Sequence, residues 1–175
     1  MRYRLPELTD RDILEEYVRE HLEHGEANIS ASEDLASTDY AAWVRKIHEN
    51  ALRHGDEWGP SLHYLCFDGD RLVGLLGVRY GLSERLTDIY GDIGYGVRPS
   101  ERKKGYATEM LRYGLSVCRE KGKKRVIVGC FNDNTASASV IRKNGGVLLR
   151  ENDNYQAGRM SQYYLIQPDN EERNK

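Results

Sequence analysis

The chain has 175 residues, enough for one domain that buries roughly two thirds of the surface its unfolded form exposes. Its 26 basic and 28 acidic residues give a net charge of -2 and are mixed along the sequence, so no broad electropositive face for nucleic acid is implied. No apolar run approaches the roughly 20 residues of a membrane span, and the charged start Met1-Arg2-Tyr3-Arg4 is unlike an export signal, so a cytoplasmic protein off the membrane is expected.

In chain order, residues 3 to 8 read as a first strand. Thr9 then offers a capping hydroxyl before Ile13, Leu14, Tyr17, Val18 and Leu22, which recur at helical spacing up to about Gly25. A polar stretch from Glu26 to Ser37 leads to a second helix carrying Tyr40, Trp43, Val44, Ile47 and Leu52, which stops by Gly55. This helical arm either covers one face of a sheet or lines a substrate cleft. From Leu62 to Tyr80 two β-rich runs flank Asp68-Gly69-Asp70, the chemistry of a hairpin turn. Residues 81 to 90, with Glu84, Arg85 and Asp88, show no clear period and read as a charged loop. Asp92 to Val97 resumes strand character, and Pro99 ends it.

A helix from about Lys104 to Lys121 follows, with a buried stripe of Ala107, Met110, Leu111, Leu115 and Cys118, and then the apolar strand Val126-Ile127-Val128. A shorter helix, about Thr135 to Lys143, ends at Gly145-Gly146, and strands at about 147 to 151 and 160 to 166 suggest a closing hairpin. No internal repeat breaks the pattern, so residues 1 to 175 are expected to form one domain. Cys66, Cys118 and Cys130 are odd in number and form no CxxC pair, which suits buried apolar thiols in a reducing compartment. His21, His24, His48, His54 and His63 lack metal-ligand spacing, with His21 and His24 on a solvent face, and no catalytic metal is expected.

The strongest signal is the stretch from Asp92 to Ala107, where a strand feeds the basic loop Arg102-Lys103-Lys104-Gly105-Tyr106-Ala107 and that loop opens into a helix. Amides at a helix start point outward with partial positive charge, Gly105 allows close approach, and three cations add attraction, so the loop suits a pyrophosphate. It has neither the spacing of a nucleotide-hydrolysing P-loop nor the early, complete glycine pattern of a dinucleotide fold.

On these residues the chain resembles the GNAT superfamily of acetyltransferases. The acetyl-CoA loop of that family has Arg or Gln, two residues, Gly, one residue, then Gly or Ala, matched here by Arg102, Gly105 and Ala107. The resemblance continues through Gly94-Tyr95-Gly96-Val97-Arg98-Pro99 before the loop and Asn134-Thr135-Ala136-Ser137 after it, over about residues 60 to 166. It implies an α/β (α+β) fold with a central mixed, largely antiparallel sheet, flanked by helices and splayed where acetyl-CoA binds. It also implies that Tyr95, Gly96, Val97, Arg102, Lys103, Lys104, Gly105, Tyr106, Ala107, Asn134 and Ser137 hold acetyl-CoA, with the Val97 amide facing the thioester carbonyl. Gly94 and Gly96 permit either close ligand approach or a helix packed on the sheet.

The implied activity is direct transfer of acetyl to a primary amine of a small molecule or protein. A domain that binds acyl-CoA as a sensor without turnover is the alternative, and the sequence leaves a homodimer open. The family's usual acid, a tyrosine, is replaced by Ile141, so Tyr163, Tyr164 or Tyr106 becomes the candidate donor. Tyr163 and Tyr164 alternate on one strand, so one of them at most lines the cleft. Glu84, Asp88 or Asp92 could serve as base, Asp92 sharing a strand face with Gly94 and Gly96.

Overall fold

The computed structural model describes residues 1–168, in which two antiparallel sheets meet at one joint and carry helices on both faces. The first sheet has the order β1 (Arg2–Arg4), β2 (Leu62–Asp68), β3 (Arg71–Val78), β4 (Ile93–Val97). In the second, β7 (Ser161–Ile166) lies between β5 (Val126–Phe131) and β6 (Val147–Asn152). The helices are α1 (Arg11–Glu23), α2 (Tyr40–Ala51), α3 (Glu84–Tyr90), α4 (Tyr106–Glu120) and α5 (Thr135–Lys143). The expected single domain over 1 to 175 extends past the described residues. No helix among them is long and apolar enough to cross a membrane.

Side-chain alternation sends successive strand residues to opposite faces, and each face has its own core. Leu76, Ile93, Val128 and Tyr164 pack with Met110, Leu111 and Cys118 of α4 and Ile141 of α5. Leu65, Phe67 and Leu75 pack on the other face with Leu14 and Tyr17 of α1 and Trp43 and Ile47 of α2. The arm therefore covers the sheet, as one of its two expected roles required. Polar side chains start the helices by accepting otherwise unpaired amides. Asp39 takes the Ala42 amide at 3.0 Å, Ser83 that of Leu86 at 3.3 Å, and Asn134 that of Ser137 at 3.0 Å.

Several sequence expectations change. The first strand stops at Arg4 because Pro6 follows and residues 8–10 form a 3-10 turn. Asp10 rather than Thr9 precedes α1, and its carboxylate takes the Glu7 amide at 2.7 Å and the Arg4 guanidinium at 2.7 and 2.5 Å. The charged segment 81 to 90 is not a loop: Ser83 starts α3, whose seven residues are too few to show a helical period. His21 is buried rather than solvent-facing, its ring 4.6 Å from that of Tyr17. The last two strands do pair, but β7 also pairs with β5 and so becomes the centre of its sheet.

Candidate functional site

The joint between the sheets is built on Asp92. Its amide donates to the Ile127 carbonyl and its Oδ2 accepts the Ile127 amide, both at 2.7 Å. Lys123 Nζ reaches Oδ1 at 2.5 Å and Thr87 Oγ1 lies 3.3 Å away. Beyond this point β4 and β5 belong to different sheets, so a cleft opens between them. The Arg98 amide bonds the Val73 carbonyl at 2.8 Å. Antiparallel alternation therefore turns the Gly94 and Gly96 amides toward β3, and those of Tyr95 and Val97 toward the cleft, where no strand pairs with β4.

At the cleft mouth the chain makes a 3-10 turn over 99–101, passes Lys103 at φ 63° and Gly105 at φ 90°, and enters α4 at Tyr106. No side chain caps this helix, and the Thr108 and Glu109 amides share the Gly105 carbonyl. The first-turn amides of Tyr106 and Ala107 have no carbonyl a turn earlier, so they remain available to an anion. Much of the side-chain charge is already paired. Arg102 forks onto both Glu26 oxygens at 2.6 Å, with its Nε 3.2 Å from the Val97 carbonyl, and Lys104 reaches Glu101 at 2.7 Å. Tyr106 donates to Asp68 at 2.6 Å, and that bond pushes its hydroxyl up to about 12. Among the described residues, what the loop leaves unpaired is the amides at the start of α4 and the Lys103 ammonium.

Deeper in the cleft, the Tyr95 hydroxyl of β4 and Ser137 Oγ of α5 lie 2.8 Å apart, and burial pushes the Tyr95 hydroxyl up. Half-buried Cys130 of β5 adjoins this pair, and burial raises its thiol too. Ile141 is fully buried, and a Cβ on Gly146 would lie 2.5 Å from its Cγ2, so it packs rather than faces the cleft. On the opposite face, a Cβ on Gly96 would come within 2.8 Å of the Ser30 carbonyl, and one on Gly94 within 3.5 Å of the Arg79 guanidinium. The glycines thus make room for the arm segment between α1 and α2 and for one arginine, not for a packed helix.

The acid and base candidates are scattered. Tyr163 is buried and donates to the Ile89 carbonyl at 2.8 Å. Tyr164, in the opposite core, donates to Gln162 Oε1 at 2.8 Å and accepts from Arg142 at 2.9 Å. Asp88 pairs with Arg150 at 2.7 Å, and Glu84 opens α3. Sequence reading missed Glu26, Glu33, His63 and Arg79, which the fold gathers beside β4 and its loop. Arg79 donates to the Gly91 and Tyr90 carbonyls at 3.1 and 3.0 Å. His63 Nε2 lies 3.0 Å from Glu33. Only the positive φ needed at Ala31, Glu33 and Asp34 marks this segment locally, and no glycine there signals it.

A family model described as acetyltransferase (GNAT) domain matches residues 2–147. A search of curated proteins returns no match. Solved structures include a ribosomal L7/L12 alpha-N-protein acetyltransferase in complex with coenzyme A, 20% identical, covering 94% of this chain and 92% of that one, with a TM-score of 0.69. The acetyl transferase of Salmonella typhimurium that modifies the N-terminal serine of ribosomal protein L7/L12 is also 20% identical, covers 94% and 93%, and has a TM-score of 0.68. The yncA protein of Salmonella typhimurium, solved with its cofactor acetyl-CoA, is 16% identical, covers 97% and 94%, and has a TM-score of 0.69. At these identities the likeness is one of fold.

Proposed function

The chain belongs to the GNAT acetyltransferase family, and on that premise we propose that it moves the acetyl group of acetyl-CoA directly to a primary amine of a small molecule or protein. The observation that carries this reading is the uncapped start of α4 at the mouth of the cleft between β4 and β5. An acyl-CoA laid there puts its pyrophosphate on the amides of Gly105, Tyr106 and Ala107. Its pantetheine arm then replaces the strand that β4 lacks, meeting the backbone groups of Tyr95 and Val97. The Val97 amide polarises the thioester carbonyl, and a donor fixed before the charge develops is worth roughly 10²- to 10³-fold in such chemistry.

In this reading transfer is direct, because burial raises all three thiols, that of half-buried Cys130 in the cleft included, and so disfavours the thiolate an acyl carrier needs. Cys66 and Cys118 are fully buried, burial pushes both thiols up, Cys118 to about 12, and a carrier must reach the thiolate. For the departing CoA thiolate the geometry favours the Tyr95–Ser137 hydroxyl pair over Tyr163 and Tyr164, whose hydroxyls point at Ile89 and Gln162. Asn134 serves both as the cap of α5 and as a neighbour of that pair. Two fold neighbours act on the N-terminus of a ribosomal protein, which makes a protein N-terminus the first acceptor to try. A reducing cytoplasm suits the three free thiols.

A sensor that binds acyl-CoA without turnover is the second reading, favoured by Ile141 at the family's tyrosine position and by the paired carboxylate of Asp92. Two measurements test the readings, and the second separates them. CoA at a hundredfold excess over its dissociation constant should stabilise the fold by about 2.7 kcal/mol and raise the thermal midpoint under either. Thiol release from acetyl-CoA that accelerates with members of an amine and peptide panel is expected only of the enzyme. An unchanged midpoint would remove the CoA site; a raised midpoint without amine-dependent release would leave the sensor.

A further inference from the structure

The arm-facing side of the first sheet holds a polar layer that the transfer chemistry above leaves unused. His63 of β2 stands opposite Gly77 of β3, and Gly77 opposite Gly94 of β4. The row is cleared of side chains. A Cβ on Gly77 would lie 3.0 Å from His63 Cδ2 and Nε2, and 3.8 Å from the Arg79 guanidinium, which also covers Gly94. The His63 ring is 4% exposed, yet neither ring nitrogen has an aligned hydrogen-bond partner among the described residues. Glu33 Oε1 sits 3.0 Å from Nε2 but off the line of a bond, while the Glu33 side chain keeps 29% of its surface open. A buried imidazole with unmet nitrogens costs free energy unless something completes it.

We propose that Glu33 and His63 form the acceptor end of the site, Glu33 holding the ammonium of the incoming amine and the pair removing its proton before attack. This deepens the transferase reading and rests on it. The ammonium enters against the open side of Glu33, three residues after Ser30, whose carbonyl borders Gly96 of β4. One N–H proton passes to the pair, the neutral amine attacks the thioester carbon to form the C–N bond, the C–S bond breaks with the electron pair leaving on the thiolate, and the second N–H proton, now acidic on the positively charged nitrogen, passes to the thiolate or to solvent. The pair then returns its proton to solvent. A neutral imidazole keeps one ring nitrogen free to accept a proton, so His63 suits the receiving role.

The groups around Glu33 keep its carboxylate ionised, the form that can hold an ammonium. Contact with the His63 ring, against the opposing effect of burial, holds the Glu33 carboxyl down at about 2, with Arg79 and Lys46 contributing. Lys46 is itself shared with Asp34 at 3.6 Å. Arg79 is fixed by the Gly91 and Tyr90 carbonyls and lies near Asp92, so it keeps its place between Glu33 and Gly94 whether or not an amine is bound. Glu33 is also held where it is by an unusual backbone, with φ of 59°, 49° and 66° at Ala31, Glu33 and Asp34.

Single-turnover acetyl transfer as a function of pH tests the proposal, using the whole protein, acetyl-CoA and the best amine from the panel. Glu33→Gln and His63→Gln should each lose roughly 10²- to 10⁴-fold near neutral pH while keeping CoA affinity. The loss should shrink as pH rises through the amine's own pKa, because an amine already neutral needs no base; a structural defect would not recover in this way. Glu33→Gln alters a partly open side chain and keeps the test sound if His63→Gln unfolds, which thermal melting reports. Wild-type rates in folded Glu33→Gln, or a loss equal at every pH, overturns the proposal while leaving the transferase reading intact. A wild-type protein that binds CoA but acetylates nothing in the panel overturns that reading, and this inference with it.

Discussion

Asp92 has no exposed surface, and its two oxygens meet the Lys123 ammonium, the Ile127 amide and the Thr87 hydroxyl. A carboxylate so engaged holds the strands together at the point from which they diverge. Removing one partner of a buried pair strands the other charge, which typically costs about 3 to 5 kcal/mol. Asp92→Ala should therefore lower unfolding stability by roughly that amount and loosen the cleft. Urea unfolding checks this; a folded variant of unchanged stability with a selectively slowed chemical step would instead make Asp92 the base. Arg98 has a comparable place at the other end of β4, buried between Glu16 and Glu20 of α1, so each end of the strand is pinned by an ion pair.

At the scale of elements, the proposed anion site lies in the loop between β4 and α4, and Gly105 is its sensitive position. Its φ of 90° is strained for any residue with a Cβ, but a Cβ there would meet nothing within 4 Å. The protein itself thus tolerates a side chain for about 1 to 2 kcal/mol of backbone strain. A bound pyrophosphate does not, since the new atoms occupy its approach to the amides. Gly105→Val should fold, melt somewhat earlier, and bind CoA at least roughly tenfold more weakly, about 1.4 kcal/mol. Calorimetric titration with CoA measures this, and undiminished affinity in the folded variant would displace the pyrophosphate from the loop.

Across the whole molecule, carboxylates of the arm tie it to the acetyl-CoA loop and the sheet. Glu26 is held down at about 2 mainly by Arg102, and Glu33 at about 2 mainly by the His63 ring. Glu20 is also near 2, where the Ser100 amide and Arg98 outweigh the raising effect of burial. A carboxyl whose folded pKa lies below its unfolded value of 4.5 stabilises the fold above that value, and the contribution is lost as pH falls toward 2. Between those limits stability should decline steeply, with α1 and the segment after it released early. Urea melts at stepped pH, followed by the fluorescence of Trp43 in a Trp58→Phe background, would show this; stability independent of pH over that window would mean the arm is not held by these charges.

What the sequence determined by itself was local. The basic loop, the hairpin turn at Asp68-Gly69-Asp70, the caps at Ser83 and Asn134 and the stripe of α4 each act within a few residues, where hydrogen-bond geometry and side-chain period leave a direct trace. Of these the Ser83 cap went unread, because a helix as short as α3 shows too little period to confirm it. Tertiary structure decided the rest, for contacts distant along the chain depend on how strands and helices come together. Arg102 and Glu26 are 76 positions apart, and Arg98 and Glu16 are 82 apart, so neither sequence neighbourhood signals the pairing. The same holds for Glu33 against His63, and for His21, which an amphipathic reading turned outward but which lies buried beside Tyr17 with Glu26 on its Nδ1. The proposed phosphate site was legible because it rests on backbone amides at one helix start. The Glu33–His63 layer was not, because it is assembled from β2, β3, β4 and the α1–α2 segment only after glycines at 77, 94 and 96 let those pieces approach.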